Sequence, residues 1–178
     1  MSRVFAACTV VFLVATVSAT ANAEGFGVGA RVAVVQDDGT DNTRGMPGLF
    51  LRMGDGVFGV EGTIDYKSDD VGPVDIRTWP VTVSVLVRPL PIVFAGAGLG
   101  WYNTTFDYND PLIENTTESE IGYQLGAGVE LPLTPQFELV GDLRYHFIDY
   151  DVTEDVSEFD FDNANYFSVH GGILFNIP

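Results

Sequence analysis

The run Ser168-Val169-His170-Gly171-Gly172-Ile173-Leu174-Phe175-Asn176-Ile177 constrains this chain more than any other stretch. One of its faces collects Val169, Gly171, Ile173, Phe175 and Ile177, and the other collects Ser168, His170, Gly172 and Asn176. Successive side chains of a β-strand point to opposite sides, so this is the period-two pattern of a strand with one oily face. Seven earlier segments alternate in the same way. The apolar face is of the kind that meets lipid, and the other face is polar or small. A closed barrel in a membrane requires that arrangement, because every backbone group must pair within the wall.

The N-terminus predicts export. Arg3 supplies a positive start, Val4 to Ser18 is almost wholly apolar, and Ala21-Asn22-Ala23 is a small-x-small cleavage site before Glu24. The apolar stretch is shorter than the roughly 20 residues of a membrane-spanning helix, so residues 1–23 are expected to be a cleaved signal peptide. Phe5-Ala6-Ala7-Cys8 faintly resembles a lipoprotein cleavage box, but cutting there would leave almost no targeting signal. Cys8 is the sole cysteine, so cleavage leaves neither disulfides nor thiol chemistry. It also removes Arg3, leaving seven basic side chains against 25 acidic ones, a net charge of −18 over residues 24–178. A chain this acidic does not hold nucleic acid through its phosphates.

The expected domain at 24–178 contains strands at about 25–35, 45–54, 56–66, 77–88, 92–103, 119–131, 136–148 and 164–177. Gly54-Asp55-Gly56, Pro89-Leu90-Pro91 and Pro132-Leu133-Thr134-Pro135 are short turns rich in residues that set turn dihedrals. The other four connections, near 36–44, 67–76, 104–118 and 149–163, are long and polar. Such alternation is that of an up-and-down barrel with short periplasmic turns and longer outer loops, and an even strand count leaves both termini periplasmic. The predicted fold is all-β, an eight-stranded antiparallel up-and-down transmembrane β-barrel.

Parity assigns the faces. Val28, Val32, Leu51, Ile64, the series Val81/Val83/Val85/Val87, Leu99, Leu125, Leu143 and their same-face neighbours point outward, with no charge among them. A basic residue on the lipid face costs roughly 2–4 kcal/mol at the midplane, so this absence suits lipid. A soluble calycin-type barrel would bury the opposite parity. Tyr66, Trp79, Trp101, Tyr145, Phe147 and Phe167 gather at the loop-side ends, as in an interfacial girdle. Inward point Arg31, Arg52, Glu61, Arg88, Gln124, Glu130, Glu138, Asp142, Arg144, His146 and His170. Eight strands leave an interior just wide enough for side chains, so opposite charges should pair and close it. Arg31, Glu61, Asp142 and Arg144 are expected to form the mid-height network, edged by His170 and Gln124. Glycines 96, 98, 100, 122, 126 and 128 also point inward and are expected to make room for the arginines.

With these eight strands, the segment Ala95-Gly96-Ala97-Gly98-Leu99-Gly100-Trp101 and the ending Gly172-Ile173-Leu174-Phe175-Asn176-Ile177, the chain resembles the small outer-membrane β-barrel family typified by OmpA and OmpX. The resemblance covers the whole of 24–178. It implies the bacterial outer membrane, contact with its lipid and lipopolysaccharide, and recognition of the C-terminal strand by the assembly machinery. The family usually ends on an aromatic residue, whereas Pro178 follows Ile177 here. The fold hosts unrelated tasks, so it does not choose among them. A peptidoglycan-anchoring role is not expected to transfer.

Candidate chemistry is sparse. Ser168, His170, His146 and Asp142 share the inner face of two neighbouring strands, and a serine, a histidine and a carboxylate are the parts of an acyl-hydrolase. They point away from acyl chains, and no glycine-flanked nucleophile turn surrounds Ser168, so they are expected to be hydrogen-bonded filling. The last loop carries seven acidic residues between Asp149 and Asp162, hard oxygens of the type Ca²⁺ takes, but without EF-hand spacing. A solvated, self-repelling loop is the expectation. Asn103-Thr104-Thr105 and Asn115-Thr116-Thr117 match glycosylation acceptors, which mean little in a bacterial outer-membrane protein. No catalytic, cofactor-binding or metal-ligating set is assigned.

The long loops hold 17 acidic residues against Arg44, Lys67 and Arg77, so the outer face should attract cations or basic partners. The expectation is a monomeric, non-enzymatic surface protein with acidic loops and a plugged lumen. The alternatives are a membrane-embedded lipid hydrolase or acyltransferase, and a small diffusion pore.

Overall fold

The computed structural model describes residues 25–37, 43–54, 56–71, 74–108, 116–148 and 165–178. The expected signal peptide and the 149–163 loop, with its carboxylates, lie outside them. Among the described residues nine strands form one antiparallel sheet: β1 (Phe26–Asp37), β2 (Thr43–Met53), β3 (Phe58–Asp65), β4 (Lys67–Val71), β5 (Val74–Leu90), β6 (Val93–Tyr108), β7 (Thr116–Pro132), β8 (Phe137–Ile148) and β9 (Tyr166–Ile177). The order is β3-β2-β1-β9-β8-β7-β6-β5-β4, and a further pairing of β3 with β5 closes the ring. Both β3 and β4 run against β5, so they are one stave interrupted at Tyr66. The barrel therefore has eight staves.

Closure satisfies the backbone within the wall, as a bilayer demands. β1 matches β9 from Phe26↔Ile177 to Asp37↔Tyr166, joining the first and last strands. With β3 and β4 counted as one stave, the seam between β2 and β3 is the shortest between staves at six pairs, from Gly48↔Asp65 to Met53↔Val60. The faces are those parity assigns. Val32, Leu49, Val85, Leu125, Leu143 and Ile173 lie exposed on the outside, while Arg31, Arg52, Glu61, Asp142 and Arg144 are buried inside. An apolar exterior around a charged interior inverts a soluble protein, and lipid is the solvent that fits it. Among the described residues no helix is long and apolar enough to cross a membrane.

Three expectations need correction. The loop-side strands rise higher than the alternation indicates: β5 begins at Val74, β6 reaches Tyr108 and β7 begins at Thr116. Most of what reads as loop at 67–76 is the β4–β5 hairpin, and 104–118 begins and ends as strand. Above the lipid a strand needs no oily face, so hydropathy loses it, while pairs such as Thr78–Thr104 and Thr105–Thr117 still bond across the ladder. The inner face is also not only polar or small, since Phe50, Leu86, Phe94, Val140 and Leu174 form an apolar cluster within it. Finally, the inward glycines accommodate rings more than arginines. A Cβ at Gly122 would stand 2.8 Å from the Tyr102 ring, one at Gly128 2.6 Å from Phe94, and only Gly126 faces Arg144, at 2.9 Å.

Candidate functional site in the barrel lumen

Glu61 on β3 is the hub of the lumen and is fully buried. Its Oε1 accepts from Arg144 Nη2 at 2.6 Å and its Oε2 from Arg52 Nε at 2.6 Å. Arg31 Nη1 stands 3.8 Å away, an ion pair without a hydrogen bond. Each arginine is held by a second carboxylate. Arg31 donates to both oxygens of Asp65, at 2.9 and 2.5 Å, and Arg144 Nε donates to Asp142 at 2.6 Å. Arg52 Nη1 donates to Glu130, which also accepts from Arg88 Nε at 3.0 Å. Four guanidinium groups thus interleave with four carboxylates across the barrel axis. Arg52 lies 4.4 Å from the Phe94 ring centre and 5.2 Å from that of Phe50, so aromatic faces support the cation from its other sides.

The network fills its space. The gap bounded by Arg31, Phe50, Arg52, Glu61, Asp142 and His170 is too small for a water molecule. Toward the turns the lumen widens into a vestibule of about 620 Å³, lined by Arg52, Arg88, Glu130, Glu138 and Asn176. There Asn176 Nδ2 donates to Glu138 at 2.7 Å.

Toward the loops the lumen holds a chain of hydroxyls and imidazoles. Tyr102 Oη lies 2.9 Å from His146 Nδ1, His146 Nε2 is 3.0 Å from Ser168 Oγ, and Ser168 Oγ is 2.7 Å from His170 Nε2. The serine hydroxyl has one proton, so it either donates to one imidazole and accepts from the other, or donates to Arg144 O at 3.5 Å and accepts from both. Tyr166 stacks on His146 with ring centres 4.2 Å apart. Beside this chain Gln124 Nε2 donates to Thr82 at 2.9 Å and to Ser84 at 2.6 Å.

The structure therefore brings Ser168, His146 and His170 together as the sequence suggests. It does not add the carboxylate, because Asp142 is engaged by Arg144. Ser168 is completely enclosed, whereas a nucleophile must reach an acyl carbon. Arg31, Glu61, Asp142 and Arg144 form the expected network, but Arg31 is held chiefly by Asp65, which sequence reasoning missed. Asp65 has the inward parity of Glu61 and Thr63, and that was its only signal. Asn103 of the first glycosylation match is buried, with its amide donating to Trp79 O at 3.2 Å.

A lipid-facing wall around a plugged, ion-paired lumen defines the class: a transmembrane β-barrel of the outer-membrane type. The chain belongs to the family described as outer membrane protein beta-barrel domain, whose model matches residues 5–173. Its fold is similar to that of neisserial surface protein A (TM-score 0.68, 16% identity, covering 86% of this chain and 98% of that one). It is similar also to OprG of Pseudomonas aeruginosa (TM-score 0.54, 15% identity, 85% and 95% covered). A third similar structure is Ail, the attachment invasion locus protein of Yersinia pestis (TM-score 0.51, 18% identity, 85% and 95% covered), solved with the heparin analogue sucrose octasulfate. At these identities the likeness establishes the fold. No curated protein matches the chain by sequence.

Proposed function

We propose that the protein is a non-enzymatic, monomeric scaffold of the outer membrane. Both termini face the periplasm, and its acidic loops meet the exterior, where they favour cations and basic partners over polyanions. The observation that carries this reading is the Glu61-centred network, which closes the lumen at mid-height and leaves the loop-side surface as the part that contacts the surroundings. Lipid and lipopolysaccharide contact the wall, and the assembly machinery engages the C-terminal strand. The hydrolase alternative has its residues in one place but no route from Ser168 to lipid.

The test is twofold. Protease applied to intact cells should cut within 149–163 and leave an epitope placed after Pro178 untouched. Purified protein in planar bilayers should show no large steady conductance. A cut at the C-terminal epitope would overturn the orientation, and a steady open channel would overturn the plugged scaffold. A missing lipid A acyl chain, restored by wild type but not by His170→Ala, would establish the enzyme instead.

A further inference from the structure

The turn-side rim is unusually oily for a surface that ends a barrel. Leu90 is 58% exposed, Leu133 61% and Val57 53%, with Phe58 and Ile92 exposed beside them. No charged residue occurs within 89–92 or 132–136. These side chains continue the lipid-facing wall, since Val93 and Leu131 lie directly above them and Leu90 pairs with Val93 in the ladder.

The backbone of this rim is equally suited to lipid. Pro89, Pro91, Pro132 and Pro135 have no N–H to satisfy. In the second turn every remaining amide is satisfied within the turn. Leu133 N and Thr134 N donate to Phe137 O at 2.8 and 3.1 Å, and Gln136 N and Phe137 N donate to Thr134 Oγ1 at 3.3 and 3.0 Å. Threonine closes turns that face water in the same way, so this economy permits burial in lipid rather than requiring it. A segment entering a bilayer does need such economy.

We infer that the two proline-framed turns are a lipid-insertion surface, seated among the headgroups and upper acyl chains of the leaflet on the turn side. The occupant is phospholipid, because the rim is continuous with a wall already in lipid and shows no charge in these turns for a protein partner to pair with. Depth is limited by the vestibule, whose Arg88, Glu130 and Glu138 need water. Insertion therefore stops near the lipid carbonyls, and the vestibule opens at headgroup level.

The inference rests on the membrane-spanning wall and is independent of the proposed orientation, so symmetric vesicles of phosphatidylcholine suffice. Leu90→Cys, Leu133→Cys and, as an exposed loop-side reference, Glu118→Cys are each labelled with a polarity-sensitive fluorophore after folding. Folding is checked by the gel-mobility shift on heating. At 90 and 133 the expected result is a blue-shifted emission, strong quenching by lipid carrying a shallow nitroxide, and iodide quenching several-fold weaker than at 118. Iodide quenching equal to that at 118 would overturn the inference. So would shielding from both quenchers, which would show that a second copy of the chain covers the rim. Placing Asp at the unlabelled tip (Leu90→Asp with the probe at 133) should restore part of the iodide access, and no change there would also count against insertion.

Discussion

Glu61→Gln tests the lumen most directly, because it keeps the shape and removes the charge. The wild-type carboxylate accepts two charge-assisted hydrogen bonds of 2.6 Å, from Arg144 and Arg52. Bonds to charged groups contribute about 1.5–3 kcal/mol each, and the glutamine loses one of them and keeps the other only as a weaker neutral acceptor, so the cost is about 2–5 kcal/mol. The amide nitrogen would also face an arginine donor, and the gap beside it cannot admit water to compensate. Breaking a dry ion pair by removing one partner costs about 3–5 kcal/mol, which agrees. Arg144, Arg52 and Arg31 each keep a second carboxylate, so the loss should stay within that range. Urea unfolding in lipid vesicles, followed by the fluorescence of Trp79 and Trp101, measures it. Double-mutant cycles then apportion it. Coupling of Glu61 to Arg144 should reach about 1.5–3 kcal/mol, by the hydrogen bond between them. Coupling to Arg31 should be clearly smaller, because that pair is 3.8 Å apart and Asp65 holds the arginine. Equal couplings, or additive losses throughout, would refute the hub.

Gly122→Ala should destabilise by about 1–3 kcal/mol through overpacking, since its Cβ would meet Phe147 O at 2.6 Å and the Tyr102 ring at 2.8 Å. Gly171→Ala on the lipid face has open space and should be neutral in the same urea assay. Leu125→Arg, on the exposed face midway along β7, should cost about 2–4 kcal/mol in vesicles, and no loss would contradict a lipid-facing wall. Ser168→Ala should cost about 1–3 kcal/mol by leaving His146 and His170 without a shared partner, while leaving the lipid A profile of expressing cells unchanged on mass spectrometry.

Much of this architecture is legible in the chain because lipid enforces a strict rule on one parity. Val81, Val83, Val85 and Val87 disclose the outer face, and Glu61, Asp142 and Arg144 disclose the inner one. What the rule does not reach is what fills the inside. Phe50, Phe94 and Tyr102 share the inner parity with the charges, and only the register shows that Phe50 lies opposite Gly29 and Phe94 opposite Gly128. A bulky residue paired with a glycine is a signal of lumen packing, but it emerges only once strands are aligned. The tall ends of β5, β6 and β7 escape for a different reason. Outside the bilayer, polar segments pair as strands, with Thr78–Thr104 and Thr105–Thr117 bonded across the ladder, and hydropathy carries no trace of them. Partner choice within the network, such as Arg31 with Asp65 rather than Glu61, depends on side-chain reach across the barrel.

The shortness of the β2–β3 ladder has a consequence for how the wall comes apart. Only six register pairs join these staves, whereas β1 and β9 match along their whole length. The Arg52–Glu61 bridge crosses that seam between directly paired residues, and Tyr66 N donates to Pro47 O at 2.9 Å just beyond its end. The cylinder is thus riveted where its stitching is thinnest. When such a wall breathes, its amides should exchange with solvent deuterium first along β3. A chain pulled apart from that edge would begin to unzip there, with the first and last strands still paired two seams away.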